Sequence, residues 1–511
     1  MILHTTSLQA ALGLQASAKA TGKRRYPVFL KITEDHITPV AAFLTLRRQA
    51  GRQAFLYESV EGGERTSRWS FLGVNPFLRF CCTGFTWTCD PLTADATLPT
   101  GLPNDPKLAL QLLLDAHAAL SVADLPSPFI GGAVGNFGYD AVRLVEPTIP
   151  DTGRDDFHLP DISLLLFNQV IAFDHVFKAI YLIETLPVES LDPQADYQAA
   201  LTRLSLTEWT LRQSDVAAVT ACEVLADAQV SCNLTQPEYE AMVREAKEQI
   251  ANGEIFQVVL ALRFSTTLHV DPFTVYRGLR ARNPAPYQFF VDFGEWQLIG
   301  ASPEILVSVE QQPTGQPRVK ICPIAGTRPR HHDPQRDRQL EAELLTDPKE
   351  RAEHLMLVDL ARNDASRVCI PGSVVAEPLM YIERYATVVH IVSDVVGLLR
   401  EGLHPLDAIW ASLPAGTLSG APKIRAMGLI DQLEPTRRGP YGGCVGFIGF
   451  DGNITTAIVI RTALTLNDQV YWQAGAGIVA DSNPTTEYRE CCQKARSILL
   501  ALALVGNTPC N

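Results

Sequence analysis

Two pairs of glutamates stand three residues apart in segments that read as helices. They are Glu350 and Glu353, within Asp347-Pro348-Lys349-Glu350-Arg351-Ala352-Glu353-His354, and Glu487 and Glu490, after Asn483-Pro484. Spacing i, i+3 puts both members of a pair on one helix face. Each pair also has an ordinary explanation. Glu350 falls at N3 behind an Asp347 cap and Pro348 at N1, where it completes a capping box. Glu490 can pair with Lys494 on an exposed face. Otherwise, four carboxylates on two helices would make an oxygen-rich site suited to Mg²⁺, which takes one or two carboxylates with water and an anionic ligand.

Three glycine-rich turns, at 323–330, 414–423 and 473–478, can let backbone N–H groups converge on an anion. The middle one leads into a helix beginning at Pro422, and a helix N-terminus favours negative charge. Arg461 stands inside an apolar run, 458–463, that reads as a strand. A core-facing arginine needs a partner, and a ligand carboxylate would serve bidentately. His390, in Val388-Val389-His390-Ile391-Val392, is either a neutral core histidine or an acid–base group. Glu304 lies at a strand end, where a proton donor could sit. The chemistry alone describes a magnesium-dependent enzyme acting on a small carboxylate.

The elements that must position these residues are partly legible. Thr235 and Glu238 fit a capping box, Tyr239, Met242, Val243, Ala246 and Ile250 follow helical spacing, and Gly253 can close the helix. Further helices are expected at 348–361, 422–433 and from Pro484 onward, and strands at 254–264, 456–466 and 470–474. Residues 287–293 and 296–299 read as a hairpin around Gly294. The stretch 206–234 is the best linker candidate, between irregular short strands upstream and this clearer pattern downstream. One internal echo stands out: Gly131-Gly132-Ala133-Val134-Gly135-Asn136-Phe137-Gly138-Tyr139-Asp140 resembles Gly442-Gly443-Cys444-Val445-Gly446-Phe447-Ile448-Gly449-Phe450-Asp451. Glycines so placed in strands suit bulges or close backbone approach. They are not a dinucleotide fingerprint, because no helix with an acidic partner about 20 residues on follows them.

Composition narrows the class. The chain has 511 residues, of which 46% are hydrophobic and 19% charged. That is a globular protein long enough for two to four domains. Its net charge of −13 lacks the basic footprint of a nucleic-acid binder. No apolar run reaches the ~18 residues of a membrane span, and the first 25 residues carry their basic charges after the apolar stretch, unlike a signal peptide. Eleven cysteines, none in Cys-x-x-Cys, read as reduced thiols of a cytoplasmic protein.

These stretches together resemble the chorismate-utilising enzymes, most closely the branch of anthranilate synthase large subunits. The similarity covers about 235–502, and more weakly 26–184. It is carried by residues 254–259, Ser302-Pro303-Glu304, 323–330, 350–367, 414–427, and 475–480 through Glu490. The resemblance implies an α+β fold of two packed antiparallel sheets flanked by helices. It further implies an N-terminal regulatory domain, 1–220, sharing strands with a catalytic domain, 235–505. Tyr441, Arg461 and the backbone of Gly475, Ala476 and Gly477 match positions that hold the enolpyruvyl carboxylate of chorismate. By the same resemblance Mg²⁺, carried by Glu353 and Glu490 with Glu350 and Glu487 helping through water, holds the ring carboxylate. Gly326, Thr327 and Thr417 would line the site, Glu304 would protonate the departing hydroxyl, and His390 would lie near the ring.

Ala325 points to the branch. The related aminodeoxychorismate, isochorismate and salicylate synthases carry lysine in this motif, which attacks the ring or activates water. Alanine does neither, so the resemblance implies ammonia made from glutamine by a partner amidotransferase subunit, and hence a hetero-oligomer. The formal Gly-x-Cys-x-Gly match at 442–446 lies in the echoed strand, without a His-x-Glu pair, so no glutaminase is expected in this chain. Leu56-Tyr57-Glu58-Ser59 resembles the family's L-tryptophan-inhibition motif, and Asn283-Pro284-Ala285-Pro286-Tyr287 its second wall. Two positions depart from the pattern: Gln288 replaces the usual methionine and Tyr57 a common leucine. The rivals are an aminodeoxychorismate synthase and a non-catalytic amino-acid sensor of the same fold.

Overall fold

Strand Ala54–Glu58 shows how the sequence builds layers. Successive side chains of a strand point to opposite faces. Phe55 therefore joins an apolar layer between two sheets, and Leu56 joins a second layer beneath helices. Strands buried on both faces require exactly such a cover on each side, hence two sheets and an outer helical coat. The computed structural model describes residues 2–34, 36–59, 68–94, 96, 98–213, 230–312, 315–385 and 388–504. Their strands form a thirteen-stranded, a ten-stranded and a three-stranded sheet, and the strand pairings are antiparallel. Helices Pro193–Arg212, Gln236–Ala251, Pro272–Arg282 and Pro484–Leu504 bury their apolar stripes on the outer face of the larger sheet.

Both large sheets draw strands from early and late sequence. Ala54–Glu58 pairs with Tyr287–Asp292, and the echoed strands Gly132–Phe137 and Cys444–Gly449 lie side by side. Gly135 faces Gly446 across that pair. A Cβ at either position would meet a neighbouring carbonyl oxygen at 2.0 Å, Ser163 O and Thr455 O respectively. The echo is thus a close approach of backbones.

Several expected elements take other limits. The 254–264 strand begins at Gln257 and runs to Thr267. The 456–466 strand is two strands, Ile454–Ile458 and Thr462–Leu466, which belong to different sheets. The expected linker starts too early, since a helix continues to Arg212, and its centre at 214–229 lies outside the described residues. The capping box forms: Glu238 accepts from Thr235 N at 2.7 Å. The hairpin around Gly294 also forms, with Asp292 opposite Gln297. All nine described cysteines are free thiols. Among the described residues no helix is long and apolar enough to cross a membrane.

Candidate active site and a second aromatic cavity

Helices Pro348–Ser366 and Pro484–Leu504 and the strand Gln469–Ile478 enclose a cavity of about 510 Å³. Glu353, Glu487 and Glu490 line it, together with Lys349 and Lys494. Burial, then the neighbouring charges of Glu350 and Glu490, raise the Glu353 carboxyl above its ordinary range. Glu487 is raised mainly by burial, with Glu490 adding to it. Lys494 stands among them, its Nζ 2.8 Å from Glu490 and donating to Gly475 O at 3.0 Å. The Glu490–Lys494 pair read from the sequence therefore exists, but it closes onto the glycine strand. Glu350 differs from expectation. Asp347 caps the helix through Lys349 N and Glu350 N, while the Glu350 carboxylate accepts from Arg328, which also holds Asp347. The reciprocal half of the capping box is absent because the guanidinium takes its place. Among the described residues no three acidic, histidine or cysteine side chains converge on one point. The donors are nevertheless hard oxygens that repel one another at a cavity wall. That fits a hard cation held by one or two carboxylates and water better than a closed protein cage.

On the glycine strand, Gly475 and Gly477 line the cavity while Ala476 points the other way, into the core under the helices. A Cβ on Gly475 would sit 3.1 Å from the Tyr441 hydroxyl, so the glycine leaves that phenol its place. Arg461 is not within a strand. It occupies the corner where the chain leaves one sheet for the other, with φ at +51°. Its Nη1 donates to Lys494 O at 3.3 Å, and among the described residues it forms no ion pair. Burial lowers its pKa, while Tyr441 and Glu490 oppose that effect. A buried cation without a carboxylate partner is a receptor for an anion.

Glu304 is buried at the end of strand Trp296–Ser302. Thr417 Oγ1 donates to its carboxyl oxygens at 3.2 and 3.3 Å, and Thr417 also lines the main cavity. Burial pushes the Glu304 carboxyl up to about 8, against the hydrogen bond from Thr417. At neutral pH this group holds its proton and can donate it. The Thr417 turn, Gly416–Leu418, is braced from behind. Arg438, almost fully buried, donates to Leu418 O at 2.6 Å and Val259 O at 2.8 Å, and pairs with Glu434 at 2.6 Å.

Ala325, Gly326 and Thr327 lie on strand Ile324–Pro329, beside Val388–Val392. The register slips between Ala325 and Thr327, and Gly326 takes φ +68° there. A Cβ on Gly326 would lie 3.0 Å from Glu350 Oε2 and Leu344. His390 Nδ1 donates to Gly326 O at 2.8 Å, with Thr327 Oγ1 at 3.1 Å. Burial lowers its pKa, so the imidazole is neutral with its proton on Nδ1. Ala325 lines the cavity that holds the glutamates and brings no reactive group to it.

A second cavity, about 290 Å³, opens between the two large sheets. Tyr57, Trp69, Phe71, Tyr287, Phe289 and Phe447 wall it, with Ser59 and Pro286 at its margin. Tyr57 spans the gap, donating to Gly446 O at 3.0 Å. Glu58 and Gln288 border it, but strand alternation turns their side chains to the helix side. There Glu58 accepts from Tyr276 and from Arg280 at 2.7 and 3.1 Å, and Gln288 Nε2 donates to Asn283 O at 3.3 Å.

A profile of chorismate-binding enzymes matches residues 92–500. The chain belongs to that family. Among curated relatives, it is 40% identical over 487 residues to anthranilate synthase component 1 of Acetivibrio thermocellus, covering 94% of this chain and 96% of the relative. It is 45% identical over 500 residues to that of Mycobacterium tuberculosis, covering 95% and 94%. Its fold matches the crystal structure of anthranilate synthase component I from Streptococcus pneumoniae, with a TM-score of 0.73, 35% identity, and coverage of 91% and 98%. The isochorismate synthase MenF of Escherichia coli shares the fold at 18% identity and a TM-score of 0.69, covering 96% and 100%.

As a chorismate-binding enzyme, the chain brings six of the fourteen residues expected at its active site to one cavity, while Glu304, Gly326, Thr327, Glu350, His390, Tyr441, Arg461 and Ala476 lie outside its lining. Glu353, Glu487, Glu490, Thr417, Gly475 and Gly477 share a single cavity. Sequence reasoning missed the inward turn of Lys494 and the bracing by Arg438. The i, i+4 spacing of Glu434 and Arg438 was the available signal.

Proposed function

We propose that this chain is the large subunit of an anthranilate synthase, converting chorismate and ammonia to anthranilate, pyruvate and water. The observation that carries the reading is Ala325 at the cavity wall, which brings no nucleophile of its own, combined with a buried protonated acid at Glu304. The 40–45% identity to proteins named anthranilate synthase component 1 supports it. In this reading Arg461, Tyr441 and the Gly475–Gly477 backbone receive the enolpyruvyl carboxylate. Glu304 donates its proton to the C4 hydroxyl as ammonia adds at C2, so the hydroxyl leaves as water. Thr417 keeps that carboxyl oriented, and neutral His390, close to the ring, can accept a hydrogen bond at Nε2. Loss of the C2 proton and elimination of pyruvate complete the sequence. Mg²⁺, held by Glu353 and Glu490 with Glu350 and Glu487 behind them, would neutralise the ring carboxylate and the charge developing beside it. The −13 charge of the chain is no obstacle to a dianionic substrate, because local cations decide binding at short range.

Ammonia would come from glutamine through a partner amidotransferase subunit. The aromatic cavity suits the indole of L-tryptophan as a feedback inhibitor, with Ser59 and backbone groups at the amino-acid end. Since Arg280 and Tyr276 already engage Glu58, that carboxylate acts indirectly. The test is fluorescence of anthranilate from purified protein, chorismate, ammonium salt and Mg²⁺. A non-fluorescent aminated product selects the aminodeoxychorismate branch. Tryptophan binding without turnover selects the sensor.

A further inference from the structure

A cavity of about 810 Å³, larger than the substrate cavity, takes no part in the chemistry above. It lies against strands Tyr381–Arg384 and Val388–Val392, with partly exposed Lys320 and Arg384 at its rim. Three phenol rings, Tyr287, Tyr381 and Tyr385, and two carboxylates, Asp394 and Glu383, line it. Asp394 is already engaged, accepting from Lys320 Nζ at 2.6 Å, from Tyr381 at 3.0 Å and from Cys322 Sγ at 3.5 Å. Among the described residues Glu383 accepts only from Tyr385, at 3.3 Å, and forms no ion pair. Lys320 acts on Glu383 only from beyond ion-pair distance, and a half-buried carboxylate among tyrosines with no cation in contact is a receptor for a small cation.

The wall toward the substrate is of the opposite kind. Ile324 is common to this cavity and the substrate cavity, and Ile305 and Cys322 are common to it and the small void at Glu304. Burial pushes the Cys322 thiol up to about 12, so at neutral pH this wall carries no charge. An ion crossing it would lose its hydration at a cost of several kcal/mol. A neutral molecule of the size of water would not.

Resting on the ammonia-dependent reading above, we propose that this cavity is the vestibule for the nitrogen nucleophile. Ammonium binds against Glu383 and the tyrosine rings. One N–H bond breaks, the proton forms an O–H bond on Glu383, and neutral ammonia passes Ile305, Cys322 and Ile324 toward Ala325. Glu383 returns its proton to water, so the step needs neither oxidant nor reductant.

Initial rates against ammonium chloride at saturating chorismate test this. Glu383→Gln raises the KM for ammonium about tenfold, the usual size for one charge-assisted hydrogen bond, with kcat and the chorismate KM unchanged. An unchanged ammonium KM, or an equal rise in both KM values, overturns the vestibule. Crystals soaked in rubidium chloride give an independent readout. Rubidium occupies the space between Glu383 and Tyr385 in the wild type and is lost in Glu383→Gln; a wild-type cavity without rubidium overturns the proposal. If the wild type makes no anthranilate at any ammonium concentration, the functional reading fails instead, and the soak still decides whether the cavity takes a small cation.

Discussion

Replacing Glu304 by glutamine separates the shape of the proton donor from its proton. The amide fills the same buried space and can still meet Thr417, whose hydroxyl lies 3.2 Å from the carboxyl. It cannot give up a proton to a departing hydroxyl, so kcat falls by roughly 10²- to 10⁴-fold, the usual size of general acid catalysis. A second effect follows from burial. The carboxyl is shifted from its ordinary 4.5 to about 8 in the folded chain. The folded state thus holds the proton more tightly than the unfolded one. Wild-type stability therefore declines as pH rises through that interval, by about 1.4 kcal/mol per pH unit, and by about 5 kcal/mol once pH passes 8. The glutamine variant lacks this decline. Urea unfolding of both proteins at pH 5, 7 and 8.5 measures it: the stability of the variant relative to wild type grows over the series and levels off above 8. The wild-type rate falls above pH 8, and the residual rate of the variant does not. A stability difference independent of pH between 5 and 8 would refute the buried, protonated carboxyl, and with it the acid role.

Glu490→Gln weakens Mg²⁺ binding by about tenfold or more while circular dichroism stays unchanged; titration calorimetry with Mg²⁺ reads this, and unaltered affinity removes Glu490 from the metal set. Ser59→Leu relieves tryptophan inhibition without lowering uninhibited activity, and full retained sensitivity in the fluorescence assay counts against the inter-sheet cavity. Arg438→Met destabilises by about 3–5 kcal/mol, because Glu434 is left buried and unpaired. In urea, adding Glu434→Leu to Arg438→Met recovers part of that loss.

What could be read beforehand was whatever local chemistry determines. The Thr235–Glu238 cap and the hairpin at Gly294 are set by residues only a few positions apart, and both formed. Arg461 was misread because nothing in Ile458-Val459-Ile460-Arg461-Thr462-Ala463 announces a corner. A non-glycine residue at positive φ is uncommon, and here tertiary packing imposes it. Glu58 and Gln288 border the cavity as the motif suggested, but a motif gives position and not the phase of the strand, and their side chains find partners on the helix side. Glu350 and Lys494 turned to partners on other elements, Arg328 and Gly475, 22 and 19 residues away. Such contacts exist only once the layers have assembled.

The pairing of Gly132–Phe137 with Cys444–Gly449 also has a meaning for how the chain is made. Asn136 donates to Cys444 O across 308 positions of sequence. At about 5–20 residues per second of synthesis, the early strand emerges from the ribosome roughly 15–60 seconds before its neighbour exists. Throughout that interval a row of unpaired backbone groups stays open to other chains. The nascent polypeptide cannot settle its first half and then add the second; completion of the last strands is what seals the sandwich. A shortened product ending before residue 444 would keep that edge open indefinitely, making it a candidate for aggregation or degradation rather than a functional fragment.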